Sequence, residues 1–199
     1  MVRAGIKQID VILDDVGPGK STLLFDGGDV VTVPYSTLFD LPPTLGATFE
    51  TWFLSTNTAI EDNRSILVAG DPLSGTAGGF VGIHLGKIKA VQSDGTNSNA
   101  YLGSTLVNDG KWHHVAVTRT PMTPPAPPLF KVYLDGQQVH SAPAVTVGAI
   151  ETSSGATIGN NASHTAGFKG HLDWMLMHMR ALGSSEIASH YNGGVGRAL

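Results

Sequence analysis

The stretch Asp109-Gly110-Lys111-Trp112-His113-His114-Val115-Ala116-Val117-Thr118-Arg119, with the later run Phe130-Lys131-Val132-Tyr133-Leu134-Asp135-Gly136-Gln137-Gln138-Val139, decides the fold. Val115 and Val117 fall on alternate positions, as do Phe130, Val132 and Leu134, which is the period of a strand with one buried face. The second run ends on Asp135-Gly136, a pair that accepts the backbone of a tight hairpin turn. The two runs therefore read as long strands of one hairpin. Between them, residues 121–128 hold five prolines, which predicts an extended, polyproline-like protrusion that serves as a stiff spacer or as a contact loop for a partner.

Outward from this hairpin the same short period recurs. Strands are expected at 23–25, 30–33, 48–54, 65–68, 80–85, 88–92, 101–106, 145–147, 156–158 and 171–179, with turn residues between them. A helix is expected at Ser184 to His190, with Ser184 or Ser185 as its cap and Glu186 in its first turn. Residues 1–20 read as an arm before the domain: Ile6, Ile9, Val11 and Leu13 alternate in part, and Gly17-Pro18-Gly19 breaks the pattern. The expectation is an all-β chain, a two-sheet antiparallel sandwich with one short C-terminal helix, in a single domain over 21–199.

Composition narrows the function classes. A chain of 199 residues that is 41% hydrophobic and 14% charged, with 25 glycines and 11 prolines, suits one turn-rich globular domain. The net charge is −4 and the 12 basic residues are scattered, so no cluster stands ready to neutralise a run of phosphates, and nucleic acid is not expected as a partner. No apolar run reaches the ~20 residues of a membrane span, and the first fifteen residues lack the apolar core of a signal peptide. The expectation is synthesis in a host cytoplasm, with exit by lysis, within a particle or by another non-classical route. With zero cysteines there are no disulfides and no thiolate sites.

Several pieces occur in a telling order: Leu24-Phe25-Asp26-Gly27-Gly28-Asp29, Phe49-Glu50-Thr51-Trp52-Phe53, Trp112-His113-His114-Val115-Ala116, Val132-Tyr133-Leu134-Asp135-Gly136, Gly170-His171-Leu172-Asp173, and Arg180-Ala181-Leu182 with Glu186-Ile187. From about Ser21 to Tyr191 the chain resembles laminin G-like domains of the concanavalin A-like jelly-roll (lectin/glucanase) superfamily, in its bacterial or phage branch. The resemblance implies a jelly roll of two curved sheets, and it implies binding, adhesion or virion-surface roles without choosing among them. It also places Asp26 and Asp173 where relatives hold a structural ion, so a Ca²⁺ site at those carboxylates is an expectation that rests on it.

The residues themselves argue against catalysis. Retaining glycoside hydrolysis needs two carboxyl groups ~5 Å apart, and the adjacent acidic pair outside the arm, Glu61-Asp62, sits in a polar loop. Neighbouring strand residues face opposite ways, so His113 and His114 diverge and are expected to pack and hydrogen-bond rather than chelate one ion together. For a glycan, Tyr101 beside Asn97 and Asn99 is the candidate platform, with Asn160 in a second polar loop.

The last strand carries Trp174, Met175, Leu176, Met177, His178 and Met179. Apolar residues on both faces predict a cover on both, the outer one being the arm, the helix or a second subunit. Trp174 and Leu176, with Ile6 and Ile9 of the arm, are the candidate interface. The expected function is a non-enzymatic structural and binding protein: a phage virion surface component, either capsid decoration or tail protein, joined to its own copies or to other virion proteins. The alternative is a free lectin or adhesin module that takes a cell-surface glycan at its rim loops.

Overall fold

The computed structural model describes residues 8–11, 22–55, 57, 63–146, 148–152 and 154–196. Its strands are β1 (Gln8–Val11), β2 (Leu23–Asp26), β3 (Val31–Val33), β4 (Ala47–Ser55), β5 (Arg64–Gly70), β6 (Ala77–His84), β7 (Lys87–Asp94), β8 (Ser98–Leu106), β9 (Trp112–Arg119), β10 (Leu129–Leu134), β11 (Gln137–Pro143), β12 (Ala156–Ile158) and β13 (Lys169–His178), followed by helix α1 (Ser184–Tyr191). Among the described residues they form two antiparallel sheets. The first runs β1-β13-β4-β9-β10-β11, with β2 also paired to β13; the second runs β3-β12-β5-β6-β7-β8.

The core lies between them and follows the period-two pattern. Phe53, Val115, Phe130, Val132 and Leu172 from the first sheet meet Ile66, Val81, Ile83, Ile88 and Ala90 from the second in one buried cluster. The hairpin turn forms as its sequence predicts: Asp135 and Gly136 take φ of 50° and 74°, and Gln137 re-enters the sheet as β11.

The structure departs from the expectations at four places. Gln8–Val11, inside the expected arm, is a strand of the first sheet, with Ile9 opposite Met177; Ile6 lies outside the described residues. The proline-rich insertion is a closed turn: Thr123 and Ala126, the non-proline residues that flank Pro124-Pro125, exchange both backbone hydrogen bonds. Of the three N–H groups in the segment, that of Met122 donates to the Pro43 carbonyl, and those of Thr123 and Ala126 close the turn. Val145 and Thr146 form no strand, because the side-chain oxygen of Asn99 accepts both their backbone N–H groups. The cap of helix α1 is Gly183, which has no side chain to give, rather than Ser184 or Ser185; Ser184 Oγ lies 3.2 Å from Tyr133 Oη.

Helix α1 lies on the outer face of the first sheet. Leu182 and Ile187 pack on Ala116 and Tyr133 in a buried cluster separate from the main core. Thr48 fixes the approach: its Oγ1 donates to the Arg180 carbonyl and accepts from the Leu182 N–H, both at 2.9 Å. A hydroxyl facing outward on β4 thus sets the path of the chain into the helix.

Candidate functional site

The expected glycan residues meet different fates. Tyr101, half-buried on β8, rests its ring beside His140 of β11 with centroids 4.9 Å apart. The contact crosses from one sheet to the other, so β8 and β11, the last strands of their sheets, close the same side of the sandwich. Asn99, on β8 rather than in a loop, spends its side-chain oxygen on Val145 and Thr146. Asn97 serves the turn before β8, its N–H donating to Asp94 Oδ1 at 2.7 Å. Asn160 is fully buried and ties the Asn161 and Ala166 N–H groups to the Gly27 carbonyl. Asn99 and Asn160 therefore hold loops in place, and Tyr101 is the residue of the set that presents a ring at the sandwich edge.

That edge has an unusual make-up. Ser98-Asn99-Ala100-Tyr101-Leu102-Gly103-Ser104-Thr105-Leu106 on β8 and Gln137-Gln138-Val139-His140-Ser141-Ala142-Pro143 on β11 contain no Lys, Arg, Asp or Glu. Leu102 and Leu106 are about half exposed, at 48% and 56%, and Val139 is 39% exposed. Edge strands present unpaired N–H and C=O groups, and natural proteins commonly blunt them with charges, above all Lys. Here charge is missing from both strands; each carries a bulge instead, between Leu102 and Leu106 on β8 and at Val139 on β11, and Pro143 stands at the end of β11.

Asp26 and Asp173 do not meet. Asp26 is exposed and opposite Lys169, while Asp173 is buried four positions further along β13, a separation of about 13 Å along the strand. One Ca²⁺ takes its oxygens at ~2.3–2.6 Å, so these two carboxylates do not share an ion in this structure. Asp26 instead accepts the Gly28 N–H, and its own N–H donates to Asp29.

The two histidines of the opening stretch diverge, as a strand requires. His113 lies between Asp135, 2.8 Å from its Nδ1, and Asp109, 3.1 Å from its Nε2. Burial lowers the affinity of His113 for its proton, but the two carboxylates outweigh burial and raise it.

His114 points the other way, into a cluster not foreseen from the sequence. Glu50 of β4, fully buried, lies 2.8 Å from His178 Nε2 and 2.9 Å from His190 Nδ1 through its Oε1, with His114 Nε2 3.4 Å from its Oε2. The register explains the convergence. Glu50 is opposite Leu176 on β13 and Ala116 on β9, so His178 and His114 sit at diagonal positions on the two flanking strands. His190 comes down from α1, with Trp174 edge-on to it at 5.7 Å. Burial pushes the Glu50 carboxyl up, and the surrounding histidines more than reverse this, holding it well below the ordinary carboxylate range.

A bulge in β13 makes the cluster possible. Asp173 is opposite Trp52 and Leu176 opposite Glu50, so three residues on β13 span two on β4. Trp174 sits at φ 47°, a rare value for a bulky side chain. The extra residue shifts the alternation, so Met175 and Met177 face the core while Leu176 and His178 face outward with Asp173. The outer apolar face expected of this strand reduces to Trp174 and Leu176. Leu176 is buried at 6% exposure and Trp174 packs against α1, so the helix supplies cover within the chain.

At one end of the sandwich a cavity of about 100 Å³ is lined by Phe39, Leu41, Phe49, Leu67, Val117 and Ile150 among others. Its lining is almost wholly apolar, which does not suit sugar hydroxyls. Among the described residues no helix is long and apolar enough to cross a membrane.

With two curved sheets, the outer helix and the Asp-Gly hairpin in place, the chain matches the Laminin_G_3 model of the concanavalin A-like lectin/glucanase superfamily over residues 25–188. The chain belongs to this family. No curated protein matches it in sequence. Solved structures share the fold at low identity. They include the binding domain of Paraclostridial Mosquitocidal Protein 1 (14% identity, TM-score 0.70, covering 92% of this chain and 46% of that one) and the LG4-5 domains of mouse laminin alpha1 (14%, 0.61, 89% and 47%). The binding domain of Botulinum Neurotoxin DC in complex with SialylT is a third (13%, 0.62, 89% and 44%). This chain spans just under half the length of each.

Proposed function

We propose that this chain is a non-enzymatic binding module on the surface of a phage virion, and that it docks through the side of the sandwich closed by β8 and β11 to a second copy of itself. The observation that carries this reading is the absence of charge from both edge strands, together with the exposed Leu102, Leu106 and Val139. An edge without charge offers little repulsion to another strand, and antiparallel pairing of β8 with its own copy about a two-fold axis is self-complementary. The carboxylate with histidine neighbours, Glu50, is fully buried, which supports a non-catalytic role.

A second reading is supported by a separate observation. Tyr101 and His140 place an aromatic pair at the same edge, and a structural neighbour was solved with SialylT bound. In this reading the module takes a cell-surface glycan there.

One pair of variants separates the readings. Leu102→Lys and Val139→Lys replace exposed side chains, so folding stability stays within about 0.5 kcal/mol of wild type. Docking of copies predicts wild-type dimers or larger species by sedimentation, lost in both variants. A monomeric wild type that gives glycan-array hits abolished by Tyr101→Ala overturns the assembly reading in favour of the second. A monomer without glycan hits overturns both.

A further inference from the structure

We propose that Glu50, His178 and His190, with His114 beside them, form a structural site for a divalent transition-metal ion, with Zn²⁺ the ion it suits best. Glu50, His178 and His190 each bring one ligand atom within 4.8 Å of the others. Four-coordinate zinc holds nitrogen and oxygen ligands at ~2.0–2.2 Å, which puts neighbouring ligand atoms roughly 3.3–3.5 Å apart. The separations here are 2.8, 2.9 and 3.4 Å from the Glu50 oxygens to His178, His190 and His114. The two pairs at 2.8 and 2.9 Å would each open by about half an ångström around an ion.

His114 is the independent pointer. Its side chain is fully buried, and among the described residues neither ring nitrogen finds a partner in hydrogen-bonding geometry. Leaving a buried polar group unsatisfied is costly, and such groups in native proteins call for an explanation. An ion beside Glu50 gives the His114 Nε2 lone pair a partner. The hydrogen-bonded alternative does not, because Nε2 stands at 3.4 Å from a carboxylate already shared by two other rings.

The backbone also points to the cluster. Without the bulge at Trp174, His178 would face the core; the strained φ of 47° is what turns it toward Glu50. Strain retained beside convergent side chains marks a site that the rest of the fold holds in place. The donor set selects the ion. Imidazoles with a single carboxylate favour a first-row transition metal over Ca²⁺, which takes oxygen ligands. Glu50, His114 and His190 are buried and His178 is only slightly exposed at the rim, which is the pattern of a structural site rather than a catalytic one.

The purified full chain, stripped with a chelator and then titrated with ZnCl₂, tests the proposal. It predicts one Zn²⁺ per chain and a melting temperature that rises by about 5–10 °C once free Zn²⁺ is a hundredfold above its dissociation constant. His178→Gln removes a ligand at the rim of the cluster and weakens Zn²⁺ binding at least about a hundredfold, beyond the 10–100-fold typical of outer partners. His164→Gln, at an exposed histidine in the loop before β13, leaves it unchanged. If His178→Gln fails to fold, X-ray absorption on the zinc-loaded wild type decides, with nitrogen-rich four-coordination expected. No Zn²⁺-dependent melting shift, or an oxygen-only six-coordinate ion, overturns the proposal.

Discussion

Helix α1 covers the outer face of the first sheet, and Ile187 is the side chain that tests this cover. It is fully buried between Ala116, Tyr133 and Leu182. Ile187→Ala removes three carbons, about 2.4 kcal/mol at ~0.8 kcal/mol per buried CH₂. The cavity left under a helix held on one side only adds to this, so the expected loss is about 2.5–4 kcal/mol, within the range of large-to-small core changes. For a chain of this size each kcal/mol moves the melting temperature by roughly 2–4 °C, so a fall of about 5–16 °C is expected by calorimetry. Trp52 stacks on Tyr191 at the end of the helix, with centroids 5.5 Å apart and planes 17° apart, so loosening the helix also changes tryptophan fluorescence. Leu24→Ala, at a 64% exposed position, is the control and stays within about 0.5 kcal/mol. A loss below about 1 kcal/mol for Ile187→Ala, with unchanged fluorescence, would refute the packing of α1 on the sheet.

Two further outcomes follow from local geometry. Gly159 sits at φ 79°, and a Cβ there would fall 2.0 Å from the Phe25 ring; Gly159→Ala should cost about 2–5 kcal/mol through backbone strain and overpacking, read by urea denaturation. Asp94 accepts backbone N–H groups from Thr96, Asn97 and Gly148; burial raises its carboxyl, and these bonds outweigh burial and lower it. Because the folded group ionises more readily than the unfolded one, its stabilisation is present above the unfolded value of 3.8 and is lost as pH falls through the lower folded value. Asp94→Ala should therefore cost about 1–2 kcal/mol near neutrality, and the gap from wild type should shrink in melts below about pH 4; a gap that widens with acid would contradict the assignment.

Much of the fold was legible because it rests on local period. Alternation at Val115 and Val117 and at Phe130, Val132 and Leu134 put the hairpin in register with the core, and Asp135-Gly136 fixed its turn. What local pattern could not supply was anything set by a single extra residue or by side-chain competition. The bulge at Trp174 reverses the facing of β13 beyond it, which turned an expected two-faced apolar strand into one with a polar outer cluster. Asn99 and Asn160 look like ligand groups in a sequence, yet their amides hold loops that lack strand partners.

The histidine cluster was the least legible feature. Its members come from β4, β9, β13 and α1, and they meet only through strand pairing and the helix above it. One signal was present: Glu50 is a charged residue within a strand, Ala47–Ser55, that is otherwise free of charge, and a buried charge needs partners. The uncharged edges of β8 and β11 were equally visible, but their meaning depends on both strands closing the same side of the sandwich, which the Tyr101–His140 contact establishes.

The most direct test of the account is sedimentation velocity of the wild-type chain beside Leu102→Lys over a wide concentration range. Docking through the β8 and β11 edge predicts concentration-dependent association in the wild type and a monomer of unchanged melting temperature in the variant. A wild type that stays monomeric throughout, or a variant that associates as strongly as the wild type, would contradict it.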